Sequence, residues 1–91
     1  MEQLSHFDGK EGRRACISLC GLVFDVSNSD AFRGGGYAQY PGHDVSLAVA
    51  KHSLTTEHLN GSIDALSVGE RENLVKFYKM FVEKFEPIGF L

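Results

Sequence analysis

The chain has no run of basic residues, no long apolar stretch and only two cysteines. Nine Lys and Arg stand against 12 Asp and Glu, for a net charge of −3. Without clustered cations there is no electrostatic footprint for a phosphate backbone, so nucleic acid is excluded as a partner. No window approaches the roughly 18 apolar residues of a helical membrane span, and Met1-Glu2-Gln3-Leu4 lacks the features of a signal peptide. No histidine or cysteine has a partner at zinc-ligand spacing. No Gly-x₄-Gly-Lys phosphate loop and no Ser-His-Asp or Cys-His set is detectable, which leaves independent enzymatic activity without a basis in the sequence. Cys16 and Cys20 fall four apart in a segment that reads as strand. There their Cα atoms lie about 13 Å apart, beyond the roughly 7 Å a disulfide tolerates. Both are read as free thiols in a reducing, intracellular compartment.

What is present is an ordinary globular balance, 43% hydrophobic and 23% charged over 91 residues. That length makes one domain, 1–91. A chain of this size buries about 60–65% of its unfolded surface, so a bound cofactor can contribute much of its stability. Phe7 to Arg14 is polar with two glycines and reads as a turn. From Ala15 to Cys20 the residues alternate, Ile17 and Leu19 on one face and Cys16, Ser18 and Cys20 on the other. Gly21 marks a tight connection, and Leu22–Val26 reads as the returning strand of a hairpin. Asp25 is read as satisfying the turn that follows it.

Asp30 is placed to cap a short helical turn containing Ala31 and Phe32, and Asp44 to accept from free amides at the start of an apolar helix. A short helix is expected from Thr55 or Thr56 through Leu59, broken by Asn60-Gly61. Ser67 and Glu70 fit a capping box. Leu74, Phe77, Tyr78, Phe81, Val82 and Phe85 then form one helical stripe. Pro87 stops that helix, and Ile88–Leu91 reads as a terminal strand. Strands near both ends with helices between them predict an α+β domain.

The most informative block is Phe32-Arg33-Gly34-Gly35-Gly36-Tyr37-Ala38-Gln39-Tyr40-Pro41-Gly42-His43-Asp44-Val45-Ser46. Three consecutive glycines admit backbone conformations closed to other residues and let a flat ligand approach closely. The tyrosine after them can present its hydroxyl to that ligand. This block, with the Leu22-Val23-Phe24-Asp25-Val26 strand, resembles the cytochrome b5-like heme/steroid-binding domains of the membrane-associated progesterone receptor (MAPR) family over Phe7 to Leu91. There an aromatic-rich loop, an axial tyrosine and a Gly-x-Asp-x-Ser segment occur in this order.

The resemblance implies a small mixed sheet with short helices forming a heme pocket, and heme b as cofactor. Tyr37 becomes the axial ligand to heme iron, a phenolate that ferric iron stabilises although free tyrosine titrates near 10. Gly36, Tyr40 and Lys84 become its neighbours: Gly36 in the loop, Tyr40 packed at the heme edge or in the core, Lys84 reaching the phenolate or a propionate. The resemblance further implies steroid or sterol as a possible ligand and cytochrome P450 as a possible partner, with membrane association only through partners at the endoplasmic reticulum. Arg33 and Phe85 stand where the family often has tyrosines, so both supporting hydroxyls are missing. A heme-free module that binds a hydrophobic ligand or protein is therefore a second expectation. Bis-histidine ligation is a third, in which His58 lies near the usual second ligand, but Tyr40 stands where the first histidine would.

Overall fold

The computed structural model describes residues 4–90. Strands β1 (Cys16–Leu19) and β2 (Leu22–Asp25) form the expected antiparallel hairpin, with Cys16 opposite Asp25 and Leu19 opposite Leu22. Its two-residue turn, Cys20–Gly21, has φ values of 51° and 82°, the primed geometry whose twist matches the strands. Strand β3 (Pro87–Phe90) returns antiparallel to β2, giving the order β1-β2-β3. The terminal strand therefore begins at Pro87, and the Leu91 end of that expectation lies outside the described residues. The three strands are all antiparallel; the parallel character expected of the sheet is confined to a bridge between Ser18 and Asp44.

Alternation along β1 separates its two faces as expected, yet both are covered. Ile17, Leu19, Phe24 and Val26 enter the main core, while Cys16 and Val23 meet Leu4 and Phe7 on the other side. The 3-10 turn Leu4–His6 that closes this second face has no capping or periodic signature in the sequence. Cys16 is buried, Cys20 is exposed, and both are free. Burial pushes the Cys16 thiol up to about 11.

Helix α1 (Ser46–Ala50) and helix α2 (Val68–Lys84) pack on the sheet and on each other. The capping box at the start of α2 is complete: the Glu70 amide donates to Ser67 Oγ at 3.1 Å, and the Ser67 amide donates to Glu70 Oε1 at 2.9 Å. Lys51 Nζ donates to the other Glu70 oxygen at 2.8 Å, tying α1 to α2. That bond, with the Ser67 amide, pulls the Glu70 carboxyl down to about 2. At the far end Phe85 turns extended, and Pro87 has no amide with which to continue the helix.

Of the predicted stripe, Leu74 and Phe81 are buried and Phe77, Tyr78 and Phe85 half-buried, but Val82 is 40% exposed. The reason is that the sheet and α1 cover one side of α2, and Val82 falls past the edge of that cover. Phe81 is the hub of the stripe. Its ring lies 5.0 Å from Phe24, 5.8 Å from Phe32, 5.3 Å from Phe77 and 4.6 Å from Phe85. Burying one such ring contributes about 1.5–3 kcal/mol, and well-set aromatic pairs add about 0.5–1.5 kcal/mol each.

Two expected caps differ in detail. Asp30 does not cap: it is the first residue of the 3-10 turn Asp30–Phe32, and its backbone carbonyl accepts from Arg33 and Gly35. Asp44 does serve the start of α1, accepting from the Ser46 amide at 3.0 Å with Val45 between. Asp25 accepts from the Ser27 amide at 2.9 Å, the turn-satisfying role expected of it. Thr55 caps the 3-10 turn Thr56–His58.

Candidate functional site

The loop from Asp30 to Gly42 places the aromatic residues of the site. Asp30–Phe32 turns once, and the chain then doubles back so that the Tyr37 amide donates to the Ala31 carbonyl at 2.9 Å. Gly35 makes this return possible. A Cβ there would stand 2.8 Å from Ala31 Cα, closer than real contacts allow. The glycine run therefore admits the chain's own backbone at Gly35. Gly36, expected beside a ligand, has open space around it and needs no special conformation.

The loop presents Tyr37 half-buried, its ring stacked on Phe32 at 5.2 Å and set edge-on to Phe77 at 6.1 Å. Its hydroxyl has no hydrogen-bond partner among the described residues. Tyr40 is the opposite case. It is 1% exposed, and its hydroxyl donates to the Ser53 carbonyl at 2.7 Å. Burial pushes its phenol up to about 12. The tilted Tyr37 and Tyr40 rings lie 5.2 Å apart, so Tyr40 forms a floor under Tyr37 with its own oxygen already committed.

Tyr37 and Phe77 stand between two depressions. The larger, about 210 Å³, is lined by Tyr37, Tyr40, Val49, His52, Leu54, Asn73 and Phe77. The smaller, about 80 Å³, holds Tyr37 with Phe32, Phe77, Phe81, Phe85 and Lys84 around it. The structure thus brings Lys84 to the same depression as Tyr37, although no hydrogen bond joins them among the described residues. A roomier groove of about 530 Å³ lies on the outer face of α2, between Leu66, Val68, Val75 and Lys79. It contains none of the aromatic or hydroxyl chemistry of the Tyr37 region, so size alone does not make it the site.

The two tyrosine replacements have visible consequences. Arg33 is exposed, and its Nε donates to the Ser27 carbonyl, which ties it away from Tyr37. Phe85 packs on Phe81 and Phe32 and adds no polar group. Among the histidines, His43 Nδ1 accepts from the Asn60 Nδ2 amide at 3.0 Å, and His58 has a buried Nδ1 without a partner among the described residues. Neither lines a depression with Tyr37, whereas His52 does. Sequence reasoning names His52 only as one of four histidines and as a helix-end residue, and gives neither it nor Asn73 a place in the site; a position just after the apolar run of α1 says nothing of a cleft.

The Gly42-x-Asp44-x-Ser46 segment has a structural task. Gly42 adopts φ 89°, and a Cβ there would meet Asp8 at 3.2 Å. Its amide donates to the Cys16 carbonyl at 2.7 Å, and the segment then runs beside β1. Asp44 accepts from the Ser18 hydroxyl at 3.0 Å and from the Ser46 amide, while Ser46 Oγ accepts from the Cys20 amide at 2.9 Å. The motif staples α1 to the hairpin, fixing the wall on which Val49 and His52 stand.

A three-stranded sheet carrying helices that frame an aromatic depression defines an α+β domain of cytochrome b5-like architecture. The comparison with solved structures agrees: an Arabidopsis thaliana protein described as having a cytochrome b5 like fold superposes with a TM-score of 0.86 at 32% identity, over 98% of this chain and 84% of that one. Probable steroid-binding protein 3 of Arabidopsis thaliana is 32% identical over 97% of this chain and 91% of its own length. Membrane-associated progesterone receptor component 2 of Homo sapiens is 31% identical over 98% of this chain. No family profile matches the chain. On these likenesses the chain belongs to the membrane-associated progesterone receptor family. It spans about two fifths of the length of the longer relatives, 42% in the human protein and 39% in membrane steroid-binding protein 2 of Arabidopsis thaliana. Among the described residues, no helix is long and apolar enough to cross a membrane.

Proposed function

We propose that this domain binds ferric heme b, with Tyr37 as the residue that holds the iron. One observation carries the reading: the loop delivers a half-buried tyrosine whose hydroxyl has no partner among the described residues, at the junction of two aromatic-walled depressions. Its neighbour Tyr40 shows how the fold treats a tyrosine that is merely structural, buried and bonded. When bound, ferric iron supplies the charge that keeps a phenolate deprotonated at neutral pH. Phe77 and Val49 supply apolar walls, Tyr40 the floor, and Lys84 a cation on the Tyr37 side of α2 for the phenolate oxygen or a carboxylate. The depression of about 210 Å³ is below the roughly 300–1,000 Å³ of enclosing ligand pockets, so a group of this size stays partly exposed. Family membership supports an accessory or regulatory role in sterol metabolism, with a cytochrome P450 as partner and the endoplasmic reticulum as the place.

A second reading is favoured by the names of the relatives, several of which are called steroid-binding. In it the same cleft takes a steroid and Tyr37 donates a hydrogen bond to it. A hemin titration followed by absorbance separates the two. Tyr37→Phe removes the oxygen and keeps the ring, so it should abolish or greatly weaken hemin binding while the circular dichroism spectrum stays unchanged. Equal hemin affinity in that variant refutes Tyr37 as the iron ligand. Steroid binding without any hemin-induced absorbance band selects the second reading.

A further inference from the structure

Resting on the ligand site just described, we propose that His52 is a ligand-anchoring residue, donating from its imidazole to an acceptor oxygen at the edge of the flat apolar molecule held against Tyr37. Two independent observations lead there. The first is backbone. His52 follows the last turn of α1, where its amide donates to the Val49 carbonyl at 3.1 Å and the Ser53 amide donates to the Ala48 carbonyl at 2.8 Å. That pair of bonds is the Schellman closure, whose left-handed position is usually filled by glycine. His52 occupies it with φ 52°. The closure fixes the point at which the His52 side chain leaves the backbone; Glu11, Cys20 and Asn60 adopt the same left-handed conformation in their own turns.

The second observation is where that side chain stands. His52 lines the cleft with Tyr37, Leu54, Asn73 and Phe77. The imidazole is exposed and has no hydrogen-bond partner among the described residues. Across the cleft one N–H of Asn73 Nδ2 donates to the Ala50 carbonyl at 3.1 Å, which holds α2 to the end of α1 and fixes that side chain. Tyr37 and His52 therefore present side chains without a hydrogen-bond partner among the described residues, beside the apolar Val49, Leu54 and Phe77, the pattern by which a pocket fixes the orientation of a hydrophobic ligand. The acceptor it fits is a carboxylate on the heme rim or a ketone oxygen of a steroid.

His52→Gly tests this cleanly, because glycine suits the turn while removing the imidazole. The melting temperature of the variant without ligand should hold or rise. Its hemin affinity should fall about ten-fold, the loss expected for one hydrogen bond to a charged group. His52→Asn, which tolerates the left-handed backbone and keeps a donor, should recover part of that loss. Hemin dimethyl ester, whose carboxylates are blocked, should bind the unaltered protein more weakly and lose nothing further on His52→Gly. If a steroid ketone is the ligand instead, the ten-fold loss should appear with that probe and be absent with hemin. Unchanged affinity of His52→Gly for both probes overturns the anchor while leaving Tyr37 in place. So does a fall of several degrees in melting temperature, which would mark His52 as structural. Failure of the unaltered protein to bind either probe overturns the site reading, and the anchor with it.

Discussion

Tyr37 and Tyr40 lie in one loop with their rings 5.2 Å apart, and the same substitution at each should have opposite consequences. Tyr40→Phe removes a hydroxyl that donates to the Ser53 carbonyl at 2.7 Å from a side chain 1% exposed. A net hydrogen bond of this kind contributes about 1 kcal/mol, which for a domain of this length lowers the melting temperature by about 4–8 °C. The larger effect is in alkali. Burial pushes the Tyr40 phenol up to about 12, from an ordinary value near 10. Because the folded state resists losing this proton, the stabilisation is fully present below pH 10 and is lost as pH rises from 10 to about 12. Holding the proton across that window is worth about 2–3 kcal/mol, on the order of 1.4 kcal/mol for each pH unit. Cys16, pushed to about 11 by burial, gives a similar loss beginning lower, near its usual range. Urea unfolding of the protein from pH 8 to pH 12 should therefore show stability falling in two overlapping steps. In Tyr40→Phe the upper step should vanish while hemin affinity at pH 7 stays within two- to three-fold of the parent. An alkaline slope that persists unchanged in Tyr40→Phe refutes the reasoning.

Asp44→Ala should cost about 2–4 kcal/mol in urea unfolding, because it removes acceptors from both Ser18 and the Ser46 amide and loosens α1 from the hairpin. Gly35→Ala should cost about 1–3 kcal/mol and weaken hemin binding with it, since its Cβ displaces the Ala31 backbone and misplaces Tyr37; unchanged stability would show that the loop shifts freely.

The sequence alone determined those parts of the molecule whose signals are local. The hairpin around Gly21, the Ser67–Glu70 capping box and the stop at Pro87 each depend on residues a few positions apart, and each appears as read. The order of glycine loop, tyrosine and Gly-x-Asp-x-Ser segment was likewise enough to reach the family and its fold. Tertiary packing decided the rest. Helical spacing put Val82 in the apolar stripe, but which side of α2 is covered depends on where the sheet ends, and Val82 falls outside it. Three glycines in a row said that a close approach occurs; only the folded loop shows that the approaching group is Ala31 and that the critical position is Gly35. Tyr37 and Tyr40 are the same residue in the same segment. One was left with a hydroxyl that has no partner among the described residues, and the other was given the Ser53 carbonyl by contacts from the end of α1, thirteen residues further on. His52 joins Tyr37 through that same turn. No periodicity encodes such a meeting, because it is made by the angle at which α1 returns to the loop.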